Sequence, residues 1–575
     1  MPKIEVNEEF FFQLAEQSWS NREDLERDLT IAKAELDEWD SAPLEASERT
    51  IKIELNDTNR PDLWTTAGLA RQLRIYRTRN YPSYRFFTSK EKNLDASYRV
   101  VVEKTVREVR PWIACFVAKG KAISDALLRD MIQTQEKLAW NYGRKRKGVS
   151  IGIYRIGLIE WPVRYFGTKP DSVSFVPLQE TRSMTLSQIL KEHPKGIEYA
   201  SILEGKPIHP LLTDSRGRVL SYPPIINSAD IGAVQVGDSE VFIEVTGTDY
   251  PSVALSASIM ACDFYDIGFE IENVRVDYEY ETPFGSSVVF PYYFQKGVEL
   301  SLIEANRLLG SSIDVEEAQD ALARMGLSAC CEDGLTLHVS PPEYRNDFLH
   351  PVDVAEDLMI GLGMEKFDPE RPTDFTIGRL TPIEVFSRKA KDIMIGLGYQ
   401  EMIYNYLGSG MDYAEKMQIP ANQLVKIANP MTENYEYVRN SPIPGLLQTE
   451  SVSAKASYPH RTFEVGKVAL KDAEANYGIV TRQYIGFLVS HAQADYNEIA
   501  SHVATLMYFL GKNYTVRESD DPRFVTGRQV EILVGEKDSK RIGVFGEVHP
   551  AVLEAFDVMM PCAAAELDLD LLLTS

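Results

Sequence analysis

The chain has 575 residues, 44% hydrophobic and 25% charged, with a formal net charge of −24 from 61 basic and 85 acidic side chains. That length calls for several domains rather than one core. No apolar run is long enough to span a bilayer, and the acidic balance excludes a protein that coats nucleic acid through a general positive field. The five cysteines, Cys115, Cys262, Cys330, Cys331 and Cys562, show no metal-ligand spacing. The opening MPKIEVNEEFFF lacks the pattern of a secretory signal. The expectation is a cytoplasmic protein with buried free thiols.

Residues 1–85 open with a short strand at IEV and a helix over Asn7–Gln17. Ser47–Glu54 alternates like a strand, Asn56–Asp62 reads as a turn, and a helix follows over Leu63–Tyr76 with Asp62 as its cap. The mostly polar stretch Ser83–Ser97 reads as a linker. Residues 98–275 mix the strands VVVEK, WIACFVAKG and VFIEVTG with helices over Ile123–Trp140 and Val253–Cys262, an α+β pattern. Residues 276–366 carry helices over Leu300–Leu308 and Val315–Met325, with Gly310 and Gly326 at their ends. Residues 370–575 begin with an amphipathic helix, Pro382–Gly398, and continue with the strands TFEVGKVAL, YIGFLVS, QVEILVG and RIGVFGEV.

An acidic cluster stands out. Pro351 suits the first turn of a helix, so Asp353, Glu356 and Asp357 fall at i, i+3 and i+4 on one face, with Asp347 just ahead. Oxygen ligands of this kind suit a hard cation. The same acids can instead offset the helix dipole at about 0.3–1 kcal/mol each. Spacing leaves both readings open.

Several segments, in order along the whole chain, resemble the beta subunit of phenylalanine–tRNA ligases. Asn59-Arg-Pro-Asp-Leu and Gly68-Leu-Ala-Arg71 resemble that family's N-terminal module. Gln135-Glu-Lys-Leu, Gly143-Arg-Lys-Arg-Lys, Ile151-Gly-Ile, Phe175-Val-Pro-Leu, Glu192-His-Pro-Lys-Gly, Ser221-Tyr-Pro-Pro-Ile-Ile-Asn227 and Glu244-Val-Thr-Gly-Thr-Asp249 look like its editing module in the archaeal/eukaryotic form. Arg345-Asn-Asp347 through Asp357 resembles its magnesium-binding segment. Arg461-Thr-Phe-Glu-Val-Gly466, Gly546-Glu-Val-His-Pro550 and Glu566-Leu-Asp-Leu-Asp570 resemble its C-terminal synthetase-like domain. Bacterial beta subunits carry an inserted oligonucleotide-binding barrel and a further tRNA-binding domain, for which this chain has no room. The expected type is therefore archaeal/eukaryotic.

The resemblance implies an α+β multidomain protein: an N-terminal α/β module (1–85), an α+β editing module (98–275), a small helical module with a magnesium-binding segment (276–366), and an inactive class II synthetase-like antiparallel sheet with helices (370–575). It implies Leu212, Ser221, Asn227, Glu244 and Asp249 as editing-site residues, and Asp347, Asp353, Glu356 and Asp357 as ligands of one Mg2+ per beta subunit. The implied partners are an alpha subunit, in an α2β2 assembly, and tRNA. ATP and phenylalanine would bind the alpha subunit, and neither DNA nor a membrane is expected. The segment Ala563–Asp570 carries acids and no arginine where an ATP-binding arginine is required, so its acids would repel ATP. Arg461 sits where the resemblance places an arginine on the α-phosphate, and an ordinary ion pair is the favoured reading over that phosphate role. The basic run Arg144–Lys147 reads either as a tRNA contact or as a solvated loop. Two rival readings are a free-standing hydrolase of mischarged tRNA and a purely structural scaffold subunit.

Overall fold

Strict alternation sets the first sheet. Thr50–Leu55 turns Ile51, Ile53 and Leu55 inward and pairs antiparallel with Lys3–Asn7 on one side and Ala34–Trp39 on the other. The computed structural model describes residues 2–39, 49–90, 92, 95–535 and 539–575, in two compact units, Met1–Glu370 and Arg371–Ser575. Ser47 and Glu48 of the expected strand Ser47–Glu54, and Glu91, Asn93 and Leu94 of the expected linker, lie outside the described residues.

The expected helix cap at Asp62 is displaced. Pro61–Trp64 forms a separate 3-10 turn, and the helix Thr66–Thr78 is capped by Thr65, whose Oγ1 accepts from the Gly68 N–H at 2.9 Å. Asp62 is buried and accepts from Arg60 Nε and Nη2 at 2.9 and 2.8 Å. A buried guanidinium needs a carboxylate more than a helix end does. The linker reading also fails in part: Tyr84, Phe86 and Phe87 are buried in the main core, because aromatic side chains interrupt its polar run.

Arg71, on the Thr66–Thr78 helix, is fully buried. Its Nη1 donates to Asp266 Oδ2 at 2.7 Å and its Nη2 to Asp263 Oδ1 at 3.1 Å, both on the helix Tyr250–Ile267. Tyr344 stacks on the guanidinium at 4.0 Å. The N-terminal module is thus tied to the middle of the unit by buried charge.

The middle of the unit is one mixed sheet. Its strands run in the order Ile226–Asn227, Val219–Tyr222, His209–Thr213, Val163–Thr168, Tyr98–Val102, Glu270–Tyr278, Trp112–Lys119, Glu240–Gly247 and Val149–Arg155, with Ser287–Phe290 pairing alongside Glu270–Tyr278. Helix Tyr250–Ile267 covers Trp112–Lys119 and Glu240–Gly247, and that is why both strands read as continuous apolar runs.

Residues 298–362 combine the helices Leu302–Leu309, Val315–Arg324 and Pro351–Leu362 with a three-stranded sheet of Val298–Ser301, Thr336–Ser340 and Ser328–Cys330 around a separate core. Cys330 is exposed and Cys331 half-buried, unlike the expected buried thiols; Cys115, Cys262 and Cys562 are buried and all five are free.

The second unit is built on a seven-stranded sheet, Gln400–Glu401, His460–Lys471, Ile479–Ser490, Cys562–Asp568, Lys540–Val548, Phe524–Val534 and Thr515–Glu518, antiparallel except at its first pair. Helices Pro382–Gly396, Tyr496–Leu510 and Leu569–Thr574 pack their apolar stripes on one face. Helix Ile443–Val452 covers the other. Among the described residues, no helix is long and apolar enough to cross a membrane.

Candidate functional site

The edge strand Val149–Arg155 leaves a gap beside it. The helix Asp125–Lys137 and the hairpin Val219–Asn227 close that gap into a cavity of about 350 Å³. Leu128, Met131, Ile132, Ile151, Ile153 and Ile226 form an apolar wall. The helix is fixed to the strand by Gln135, whose Nε2 donates to the Ile151 carbonyl at 2.6 Å.

Glu244 lies at the floor. It sits mid-strand, opposite Cys115 on one side and Gly152 on the other, so both neighbouring strands bury it. The Tyr154 hydroxyl is 2.8 Å from Glu244 Oε1 and 2.8 Å from Ser221 Oγ. A phenol has one proton: given to the carboxylate, it leaves the tyrosine oxygen to accept from the serine. Glu244 Oε2 is buried and has no partner. Burial pushes the Glu244 carboxyl up to about 7, although the Tyr154 hydrogen bond and the charge of Arg110 pull it back.

Arg110 lies fully buried behind the floor. Its Nε donates to Thr246 Oγ1 at 3.0 Å and its Nη2 to Ser150 Oγ at 2.9 Å and the Thr246 carbonyl at 2.6 Å. Its Nη1 reaches the carbonyls of Arg146 and Lys147 at 3.2 and 3.3 Å. Those carbonyls belong to the basic run. Arg144, Lys145 and Arg146 all take the left-handed conformation, with φ of 51°, 55° and 65°, which costs non-glycine residues of order 1 kcal/mol or more each. Arg144, Lys145 and Lys147 are exposed, while Arg146 turns to the cavity, donating to the Ile225 carbonyl at 3.1 Å and Glu136 Oε1 at 2.8 Å.

Of the five expected site residues, Ser221, Asn227 and Glu244 converge on this cavity. Leu212 does not. It is the register partner of Ser221, but one strand back and fully buried in the core. Asp249 is also elsewhere: it caps the helix Tyr250–Ile267, accepting from the Ser252 N–H at 3.0 Å. Tyr154 and Arg110 were not anticipated, and Gly152 was read only as part of the Ile151-Gly-Ile motif. Tyr154 follows directly on the Ile151-Gly-Ile motif, so that motif was the available signal; nothing local marks Arg110.

The second candidate, at 347–357, is arranged differently from expectation. The helix begins at Pro351 as its spacing requires. However, Arg345 inserts from upstream: its Nε and Nη2 donate to Asp347, at 3.0 and 2.6 Å, and its Nη1 to Asp357. Burial raises both acids; Arg345 outweighs it at Asp347, which lies below the usual carboxylate range, and not at Asp357, which lies above it. Asp353 is spent on capping, accepting from the N–H groups of Leu349 and His350 at 2.7 Å each. Glu356 points outward to Lys33 Nζ at 2.8 Å. Among the described residues, no three His, Cys, Asp or Glu side chains are grouped to hold a metal. The four carboxylates therefore do not fit a common magnesium cage: the cation facing the buried pair is a guanidinium.

In the second unit, Arg461 Nη2 donates to Glu498 Oε1 at 3.0 Å, the expected ion pair. The acids at 566–570 are structural. Glu566 accepts from Arg523 Nη2 at 2.7 Å and from the Ser441 hydroxyl; Asp568 caps the last helix. Arg523 offsets Glu566, and Asp570 accepts from the Gln483 N–H at 2.6 Å, so these acids are engaged internally and do not form the bare negative wall the sequence suggested.

The family described as "Phenylalanyl tRNA synthetase beta chain CLM domain" matches residues 370–569, and "tRNA synthetase B5 domain" matches residues 298–364. Phenylalanine–tRNA ligase beta subunits of Borrelia recurrentis and Treponema pallidum subsp. pallidum are 46% and 44% identical, each alignment covering 100% of both chains. A crystal structure of an N-terminal fragment of the phenylalanyl-tRNA synthetase beta-subunit from Pyrococcus horikoshii matches with TM-score 0.58 and 32% identity, over 63% of this chain and 100% of that one. The full-length relatives are bacterial, so the archaeal/eukaryotic qualifier does not follow from them. With full-length identity at this level, the chain belongs to the phenylalanine–tRNA ligase beta-subunit family.

Proposed function

We propose that this chain serves a phenylalanine–tRNA ligase in two ways: its second unit supports an alpha subunit that charges tRNA with phenylalanine, and the cavity at Glu244 hydrolyses tyrosyl-tRNA. The observation that carries the second part is Glu244, which lines a cavity with one apolar wall and has a buried carboxylate oxygen, Oε2, without a partner. Phenylalanine and tyrosine differ by one hydroxyl, and an apolar synthetic pocket rejects an added hydroxyl by only about a hundredfold. A second site that pairs with that hydroxyl reverses the preference. Phenylalanine would leave the buried carboxylate oxygen unpaired, at about 1–3 kcal/mol.

Hydrolysis here consists of water adding to the aminoacyl ester carbonyl and the bond to the ribose oxygen breaking. The cavity brings no serine or cysteine nucleophile with a base. Ser221 is committed to Tyr154, so the side chains act by orienting the ester and a water. Arg144, Lys145 and Lys147 are exposed and flank Arg146, which lines the cavity, so they supply local positive charge for the RNA backbone in an otherwise acidic chain.

The alpha partner, an α2β2 stoichiometry, and ATP and phenylalanine sites on the partner follow from the family reading. The five free thiols support a reducing, cytoplasmic setting. We read the archaeal/eukaryotic qualifier as an architecture that bacteria also use, supported by the 32% identity to the Pyrococcus fragment alongside full-length bacterial relatives. Magnesium at 347–357 would have to displace Arg345 from Asp347 and Asp357.

The test is deacylation of preformed tyrosyl-tRNA and phenylalanyl-tRNA by the complex with the alpha subunit. Wild type should clear the tyrosyl ester selectively, and Glu244→Ala should slow that clearance with phenylalanine charging intact. Equal rates for the two would remove Glu244 from the site; no clearance by wild type would remove proofreading altogether.

A further inference from the structure

A carboxylate has two equivalent oxygens, and a recognition site needs one of them aimed. At Glu244 the two are made unequal: Oε1 is 2.8 Å from the Tyr154 hydroxyl, and Oε2 is buried without a partner. Tyr154 is itself fixed. It is fully buried, packs its ring 5.8 Å from that of Phe242, and has Ser221 Oγ as a second neighbour at 2.8 Å. The position opposite Glu244 is emptied for this pair. A Cβ on Gly152 would lie 2.1 Å from the Tyr154 hydroxyl oxygen and 2.6 Å from Glu244 Oε1, closer than atoms can approach. No side chain other than hydrogen lets the two groups meet there.

We propose that Tyr154 is the positioning residue for specificity at this cavity, holding Glu244 Oε1 so that Oε2 is presented to the phenol hydroxyl of a tyrosyl ester. The inference rests on the proofreading reading above. It assigns Tyr154 no contact with substrate. Without its hydroxyl, the carboxylate turns freely and a water fills the vacated place, so a phenol gains less over a bare ring.

The experiment uses the full complex and measures kcat and KM for deacylation of both esters. Tyr154→Phe keeps the ring and removes only the hydroxyl. It should raise KM for tyrosyl-tRNA about tenfold, the worth of one hydrogen bond, with kcat and the slow phenylalanyl rate unchanged. In a Glu244→Ala background the same substitution should change nothing further, because the group it positions is gone. Gly152→Ala pushes the two groups apart and should reproduce the selective loss, which covers the case in which Tyr154→Phe fails to fold. Unchanged selectivity in folded Tyr154→Phe, an equal loss on both esters, or additive losses in the double variant would overturn the assignment while leaving proofreading standing. A wild-type complex inert toward tyrosyl-tRNA would instead remove the reading beneath it.

Discussion

Arg110 grips Thr246 twice, by Nε to the hydroxyl at 3.0 Å and by Nη2 to the carbonyl at 2.6 Å. The same guanidinium also holds the basic run from below, through the carbonyls of Arg146 and Lys147. A single buried cation therefore ties the strand that carries Glu244 to the basic run whose Arg146 lines the cavity.

Replacing Arg110 with Met should strand several buried acceptors at once. The expected loss of stability is on the order of 3 kcal/mol, read by thermal unfolding. In a mild background where the chain still folds, KM for tyrosyl-tRNA should rise, because the left-handed run relaxes. An unchanged melting temperature with unchanged KM would show that the brace is dispensable.

Glu244 predicts a pH signature. Its folded pKa, about 7, lies above the ordinary carboxylate value of 4.5. The folded chain therefore holds this proton more tightly than the unfolded one. The stabilisation is complete below about 4.5 and is lost as pH rises to about 7. The span corresponds to on the order of 3 kcal/mol. Asp263 and Asp130 shift the same way, to about 7 and about 6, so the measurement is the difference between wild type and Glu244→Gln. The variant should lose less stability across that window; parallel curves would mean that Glu244 titrates normally.

At 347–357, the charge that matters for folding is Arg345. Arg345→Met removes the guanidinium that Asp347 and Asp357 are bonded to, leaving them only the charge of Arg60, which is itself paired with Asp62, and should cost about 3 kcal/mol. Chelation with EDTA should leave the unfolding of the wild-type chain unmoved. A large drop in melting temperature with EDTA, restored by Mg2+, would return the cation role to a metal.

The second unit should not make phenylalanyl-adenylate. Arg461 is committed to Glu498, and Arg523 to Glu566 and Asp521, which leaves neither for phosphate. ATP–pyrophosphate exchange with the beta chain alone should stay at background, and phenylalanine-dependent exchange above it would contradict this.

Motifs and periodicity made most elements readable. The strand VFIEVTG, the helix starting at Pro351 and the sheet after residue 460 all lie close to where their patterns put them. Glu244 was legible only through the family resemblance of Glu244–Asp249, since on its own it reads as an exposed strand position. Its partner was not, because Tyr154 lies 90 positions away and meets it only through strand register. Register also explains Leu212, which pairs with Ser221 yet stands one strand too deep. Asp249 and Asp353 show a different limit: a carboxylate near a helix start looks alike whether it caps or binds. The helical spacing of Glu356 and Asp357 was sound, but no periodicity could announce Arg345 entering from 12 residues before Asp357.

The Arg71 junction decides how far the part that carries the cavity can travel. Asp263 and Asp266 belong to the helix Tyr250–Ile267, which covers the sheet that carries the cavity, whereas the guanidinium that satisfies them comes from the first 85 residues. A graft of residues 98–275 alone would bring two buried acids into its new host with nothing to neutralise them. The transplantable unit is therefore the two modules together, and a chimera that tests the proposed proofreading must begin its cut upstream of Arg71.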